Sequence, residues 1–148
     1  MKKPPQRRKD HEPPSASEKW GWRYHHLGVP TSVPRKSERY LAAYKVYVSG
    51  FKTSPFGIEW MRYEPGSPIS RLIQTVPHIA FEVDDLEEAI AVAARAGMIL
   101  LGEPTSPGSG TRVAMILDNG APVELIQFDK PARTPVLRKA PQAPKRRR

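Results

Sequence analysis

His26-Leu27-Gly28-Val29 and His78-Ile79-Ala80-Phe81 are the same short pattern written twice. Each copy is followed by a lone glutamate inside an apolar run: Glu59 in Ile58-Glu59-Trp60-Met61, and Glu124 in Val123-Glu124-Leu125-Ile126. A charge in the middle of a buried strand is costly unless it is paired or bound to a metal. Two histidines and two carboxylates in a duplicated arrangement are a suitable shell for one divalent metal ion.

Those four residues must be positioned by strands. Apolar and β-branched alternation, punctuated by Gly, Pro and Asn, predicts strands over 22–29, 44–48, 58–63, 77–83, 111–117 and 123–128. The segment 35–42 reads as a short helix or an irregular loop, and 70–74 as one helical turn. One longer helix is well marked. Asp85 with Glu88 forms a capping pattern, Leu86, Ala89, Ile90, Ala93 and Ala96 line one face, and Gly97 is placed to end it. After a short apolar stretch at 98–101 comes a loop at 106–110, and Asp118-Asn119-Gly120 joins the last two strands as a hairpin.

Side chains alternate across a strand, so residues two apart share a face. On that basis His78 lies with Ala80 and Glu82, and Ile79, Phe81 and Val83 pack beneath the helix on the other side. Glu124 opposes Val123 and Leu125, and His26 shares a face with Tyr24 and Gly28. His25 competes with His26 for the ligand role. Aligning His26 with His78 also aligns Leu27 with Ile79 and Val29 with Phe81, which favours His26. His11 lies in the N-terminal tail and is set aside.

The 148-residue chain is long enough for one domain with a sizeable core. It has no cysteine, hence no disulfide, thiolate ligand or thiol nucleophile. No apolar run is long enough to span a membrane or to form a secretory signal, so a cytoplasmic protein without a membrane partner is expected. The net charge of +9 invites a nucleic-acid reading, but its distribution does not support one. Residues 1–20 carry six Lys/Arg against three Asp/Glu, and 129–148 carry eight against one, whereas 21–128 is nearly neutral. Both basic, proline-containing tails are expected to be disordered, with weak polyanion binding and no specific nucleic-acid recognition. The domain is then 21–128, with a first module at 21–64 and a second at 76–128. The first reads as an abridged copy whose helix and one strand are shortened or lost.

The run Ser67-Pro68-Ile69 onward, through Pro77-His78-Ile79-Ala80-Phe81-Glu82-Val83-Asp84-Asp85-Leu86, resembles the vicinal oxygen chelate superfamily. So do Arg112-Val113-Ala114 and Pro122-Val123-Glu124-Leu125-Ile126. That superfamily includes glyoxalase I, methylmalonyl-CoA epimerase, fosfomycin-resistance enzymes, bleomycin-binding proteins and extradiol dioxygenases. The resemblance covers about residues 22–128 and implies an α+β fold, with paired βαβββ modules forming a curled mixed-sheet cup around one metal. Its ligand positions fall on the first and last strands of each module, here His26, Glu59, His78 and Glu124. A four-ligand set resembles the glyoxalase and epimerase branch, which implies Ni, Co, Zn or Mn as the divalent cofactor.

By the same resemblance Glu124 is a ligand able to detach and act as base, and Glu59 returns the proton on the other face. The activity implied is that of a metal-dependent lyase or isomerase, chelating vicinal oxygens of a small substrate and moving a proton next to a carbonyl. A second reading is a non-catalytic small-molecule-binding module of bleomycin-resistance type, with the basic tails contacting a polyanion. Dimerisation is common in the superfamily, so a second copy of the chain is an expected partner. One departure stands out: the helix expected after the first strand is mostly missing between residues 30 and 43, a region from which glyoxalase I draws substrate contacts.

Overall fold

The computed structural model describes residues 12, 13 and 15–130. Its strands are β1 (Arg23–Pro30), β2 (Arg39–Leu41), β3 (Val46–Ser49), β4 (Ile58–Tyr63), β5 (His78–Glu82), β6 (Ile99–Gly108), β7 (Thr111–Asp118) and β8 (Ala121–Phe128). Its helices are α1 (Ala16–Trp20), α2 (Arg71–Thr75) and α3 (Leu86–Arg95). The eight strands form one curled sheet in the order β2-β3-β4-β1-β5-β8-β7-β6. Each half repeats the other: the first strand of a module runs parallel to its last, β1 with β4 and β5 with β8. The halves meet along the antiparallel pair β1–β5. This is the paired-module α+β cup expected from the sequence.

Local chemistry explains the second module. The Asp85 side chain accepts a hydrogen bond from the Glu88 backbone N–H at 3.0 Å, capping α3. Leu86 N–H donates to Gln127 Oε1 at 2.8 Å, tying the helix start to β8. Asn119 and Gly120 both have positive φ, as a two-residue hairpin turn between β7 and β8 requires. Leu86, Ala89 and Ala93 bury against Trp22, Val83, Ala114, Ile116 and Leu125 on the convex side of the sheet. Phe81 and Val123 join that core, as their parity predicts. Ile79 does not: it stays exposed, because α3 covers only the end of β5 near Val83. Strand β6 runs through the expected 106–110 loop as far as Gly108, with two register irregularities against β7.

The first module is abridged as expected, and the loss is unequal. Its helix is replaced by the irregular segment 31–38, while its second strand survives as the three residues of β2. Val46, Val48 and Met61 form a separate small core on the concave side, with Leu41, Tyr44 and Tyr63 around them. On the other face, where a helix would lie, Arg62 stacks over Tyr47 at 4.2 Å and pairs with Glu38 at 2.8 Å, and Arg35 lies over Trp60 at 5.0 Å. Charged side chains with long stems thus shield aromatic faces that no helix covers.

The expectation of a disordered tail over 1–20 needs correction at its end. Residues 16–20 are helical, and Trp20 packs on Trp22 with ring centroids 4.6 Å apart. Apolar burial of Ala16 and Trp20 on the main core outweighs the polar, proline-rich composition around them. The expectations for 1–11 and 131–148 fall outside the described residues. Among the described residues no helix is long and apolar enough to cross a membrane.

These placements predict unequal costs of truncation. Leu86→Ala, at a fully buried site, should cost about 2–5 kcal/mol in a denaturant titration. Ile79→Ala should cost roughly 1 kcal/mol or less. Equal small losses at both would contradict the placement of the core.

Candidate metal centre

Strand register brings the repeated residues together. Gly28 lies opposite Glu59 on β4, and Ala80 lies opposite Glu124 on β8. In both modules, therefore, the glutamate faces the residue two places after the histidine. Across the β1–β5 seam the pairing is reciprocal: His26 opposes Ala80, and Gly28 opposes His78. The two smallest side chains of the motif thus alternate with the two histidines at the middle of the sheet.

His26, His78 and Glu124 each offer a ligand atom, and these three atoms lie within 4.8 Å of one another. His26 and His78 are 5 % and 1 % exposed, so their polar atoms depend on internal partners. Glu124 Oε2 is 2.8 Å from His78 Nε2 and 3.6 Å from His26 Nε2. Neither nitrogen makes an aligned hydrogen bond there, and His26 Nε2 and both His78 ring nitrogens are buried without a hydrogen-bond partner among the described residues. Buried polar atoms are seldom left so. Two imidazole nitrogens converging on one carboxylate oxygen are a donor set for a borderline divalent cation, and the orphaned nitrogens fit that use.

Electrostatics support the same arrangement. Burial alone would push the Glu124 carboxyl up, but contact with His26 and His78 outweighs it and brings the pKa down to about 2. Burial works against a charged His26, yet Glu124, with a smaller contribution from Glu59, raises it above its usual value. Glu59 is raised, chiefly by burial, with His26 opposing. Its carboxylate stands outside the three-residue cluster but lines the same concave cleft of about 1460 Å³. The cleft also takes in Tyr63, whose phenol is held well above its ordinary pKa by burial and then by Glu124 and Glu59.

His26 reaches the cluster through a β-bulge. Between Tyr24 and His26 the register slips: Tyr24 opposes Phe81 and His26 opposes the very next residue, Ala80. His25 is the extra residue. The bulge overturns one expectation, since Tyr24 now shares a face with Phe81 and not with His26. It also lets both neighbouring histidines line the cleft. Of the two, His26 alone lies in the His-His-Glu cluster. His25 is lowered in pKa, first by burial and then by His26.

Gly28 meets the cluster in a way that alternation alone does not reveal. A Cβ built there would sit 2.5 Å from His78 Nε2 and 2.8 Å from Nδ1. Only the cross-strand register shows that the missing side chain makes room for the imidazole. Gly28→Ala should therefore displace His78 and weaken divalent-metal affinity about 10–100-fold in a chelator-competition titration. Unchanged affinity would refute that role.

The sequence model of the Glyoxalase/Bleomycin resistance protein/Dioxygenase superfamily matches residues 18–125. Among solved structures, a hypothetical protein from Bacillus halodurans is similar at 20% identity and a TM-score of 0.59, over 76% of this chain and 99% of that one. Methylmalonyl-CoA epimerase from Mycobacterium tuberculosis is similar at 17% identity and a TM-score of 0.52, over 73% and 88%. At these identities the likeness shows a shared fold. No curated protein matches the chain. With a duplicated cup, a His-His-Glu cluster at its seam and a family match spanning both modules, the chain belongs to the Glyoxalase/Bleomycin resistance protein/Dioxygenase superfamily.

Proposed function

We propose that the protein is a metal-dependent enzyme of glyoxalase or epimerase type, a lyase or isomerase that moves a proton next to a carbonyl of a small oxygen-chelating substrate. The observation that carries this reading is the convergence of His26, His78 and Glu124 at the foot of an open cleft, with imidazole nitrogens left unpartnered. These three residues would hold Ni, Co, Zn or Mn, for which an N/O donor set is suited. A divalent ion there supplies Lewis acidity, polarising a carbonyl oxygen and making the adjacent C–H more acidic.

The chain's own groups divide the remaining work. Glu124 Oε2 lies 3.6 Å from His26 Nε2 and 2.8 Å from His78 Nε2, at the point where the donors converge, so we assign it to holding the ion rather than to leaving it. Glu59 lines the cleft outside that cluster, free to complete the shell or to reach a substrate proton, and we assign it as the base. Burial, the largest influence on it, raises its pKa above the ordinary carboxylate value. Met61 and Val48 add apolar surface to the same cleft, which would limit water beside a bound substrate.

Hemithioacetals and acyl-CoA epimers, incubated with metal-loaded protein in D2O, test this. The wild type should wash deuterium into the carbon next to the carbonyl. Glu59→Gln should slow the exchange by about 100-fold or more while retaining the metal. Exchange as fast in Glu59→Gln as in the wild type would remove Glu59 as the base. No exchange or turnover with any metal-loaded sample would favour a binding cup without catalysis.

A further inference from the structure

The bulged residue His25 makes a contact that neither the ligand cluster nor the proposed chemistry uses. Its Nδ1 lies 2.8 Å from Nδ1 of His26, behind the imidazole whose Nε2 faces Glu124. No hydrogen bond forms between two ring nitrogens unless one carries a proton and the other a lone pair. To ligate through Nε2, His26 must keep that lone pair free, which places its proton on Nδ1. The arrangement then closes in only one way: His26 Nδ1–H donates to His25 Nδ1, and His25 carries its own proton on Nε2.

The surroundings hold His25 in that orientation. Its ring stacks on Phe51 with centroids 4.9 Å apart and planes at 16°, and Phe128 closes in at 5.4 Å. Adjacent strand residues normally point to opposite faces, so this neighbour contact exists only because of the bulge at 25. His25 itself is no part of the ligand cluster.

We infer that His25 is a positioning residue, a hydrogen-bond acceptor that fixes the tautomer and ring angle of His26 for a divalent cation. In most metal sites a carboxylate, carbonyl or water accepts from the ligating imidazole. Here a second imidazole from the adjacent residue does so, clamped by two aromatic rings. The inference rests on the metal site proposed above.

The test uses Co(II), whose visible absorption reports ligand geometry, with the full chain and three variants. His25→Phe keeps a ring to stack on Phe51 but removes the acceptor. His25→Asn places Oδ1 near the position of Nδ1 and retains it. His78→Ala removes a ligand. We expect His25→Phe to bind Co(II) about 10–100-fold more weakly, with shifted bands, and His25→Asn to recover most of the affinity and the wild-type spectrum. Wild-type affinity and spectrum in His25→Phe, with binding lost in His78→Ala, would overturn the inference and leave the metal site standing. Failure of the wild type to bind Co(II) would overturn both. Weakening of equal size in His25→Phe and His25→Asn, with unshifted bands, would assign His25 to packing alone and refute the acceptor role.

Discussion

Two imidazoles and a carboxylate occupy the middle of the sheet, where each would ordinarily be a liability. A buried carboxylate loses its hydration, and a buried ring nitrogen without a partner loses a hydrogen bond. In this protein the three are brought within 4.8 Å of one another, and most of the ring nitrogens are left without aligned partners. A divalent cation would answer all of these costs together, by taking the nitrogen lone pairs and the carboxylate charge at one point. Much of the rest of the architecture can be understood as what keeps those groups convergent.

The sheet does so through duplication. Parallel pairing of first and last strands puts each glutamate opposite the residue two places after each histidine, and the antiparallel seam interleaves the two sets. A side chain at Gly28 would collide with the His78 imidazole opposite it, and Ala80 is the residue that faces Glu124. The second module is anchored by α3 on its convex face, whereas the first replaces that helix with arginine–aromatic stacking and a small concave core. The segment that replaces the helix and β2 line the cleft through Arg35, Lys36, Ser37, Arg39 and Leu41, and Glu59 lines it with them.

The repeat was legible in the sequence because strand parity and the position of a lone charge survive without any knowledge of register. His78, Glu124 and the α3 core followed from alternation, a capping pair and a helical apolar face. The bulge at His25 is not legible: two consecutive histidines carry no sign of an added residue, so simple alternation puts Tyr24 on the wrong face. Gly28 was visible as a member of the cleft face, but its purpose depends on a cross-strand partner. Helix α1 was hidden by its polar neighbours, although Trp20 and Trp22 two places apart were a signal that something there was buried. The three residues of β2 are too few to show a period, so only pairing with β3 defines them as a strand.

Whether the cluster holds an ion is decided by metal stoichiometry. The protein would be purified without an affinity tag and without added metal, and its content measured by elemental mass spectrometry beside His78→Ala. About one divalent ion per chain is expected in the wild type, and its loss in the variant. No ion in the wild type, even after incubation with Ni, Co, Zn and Mn, or an equal content in His78→Ala, would contradict it.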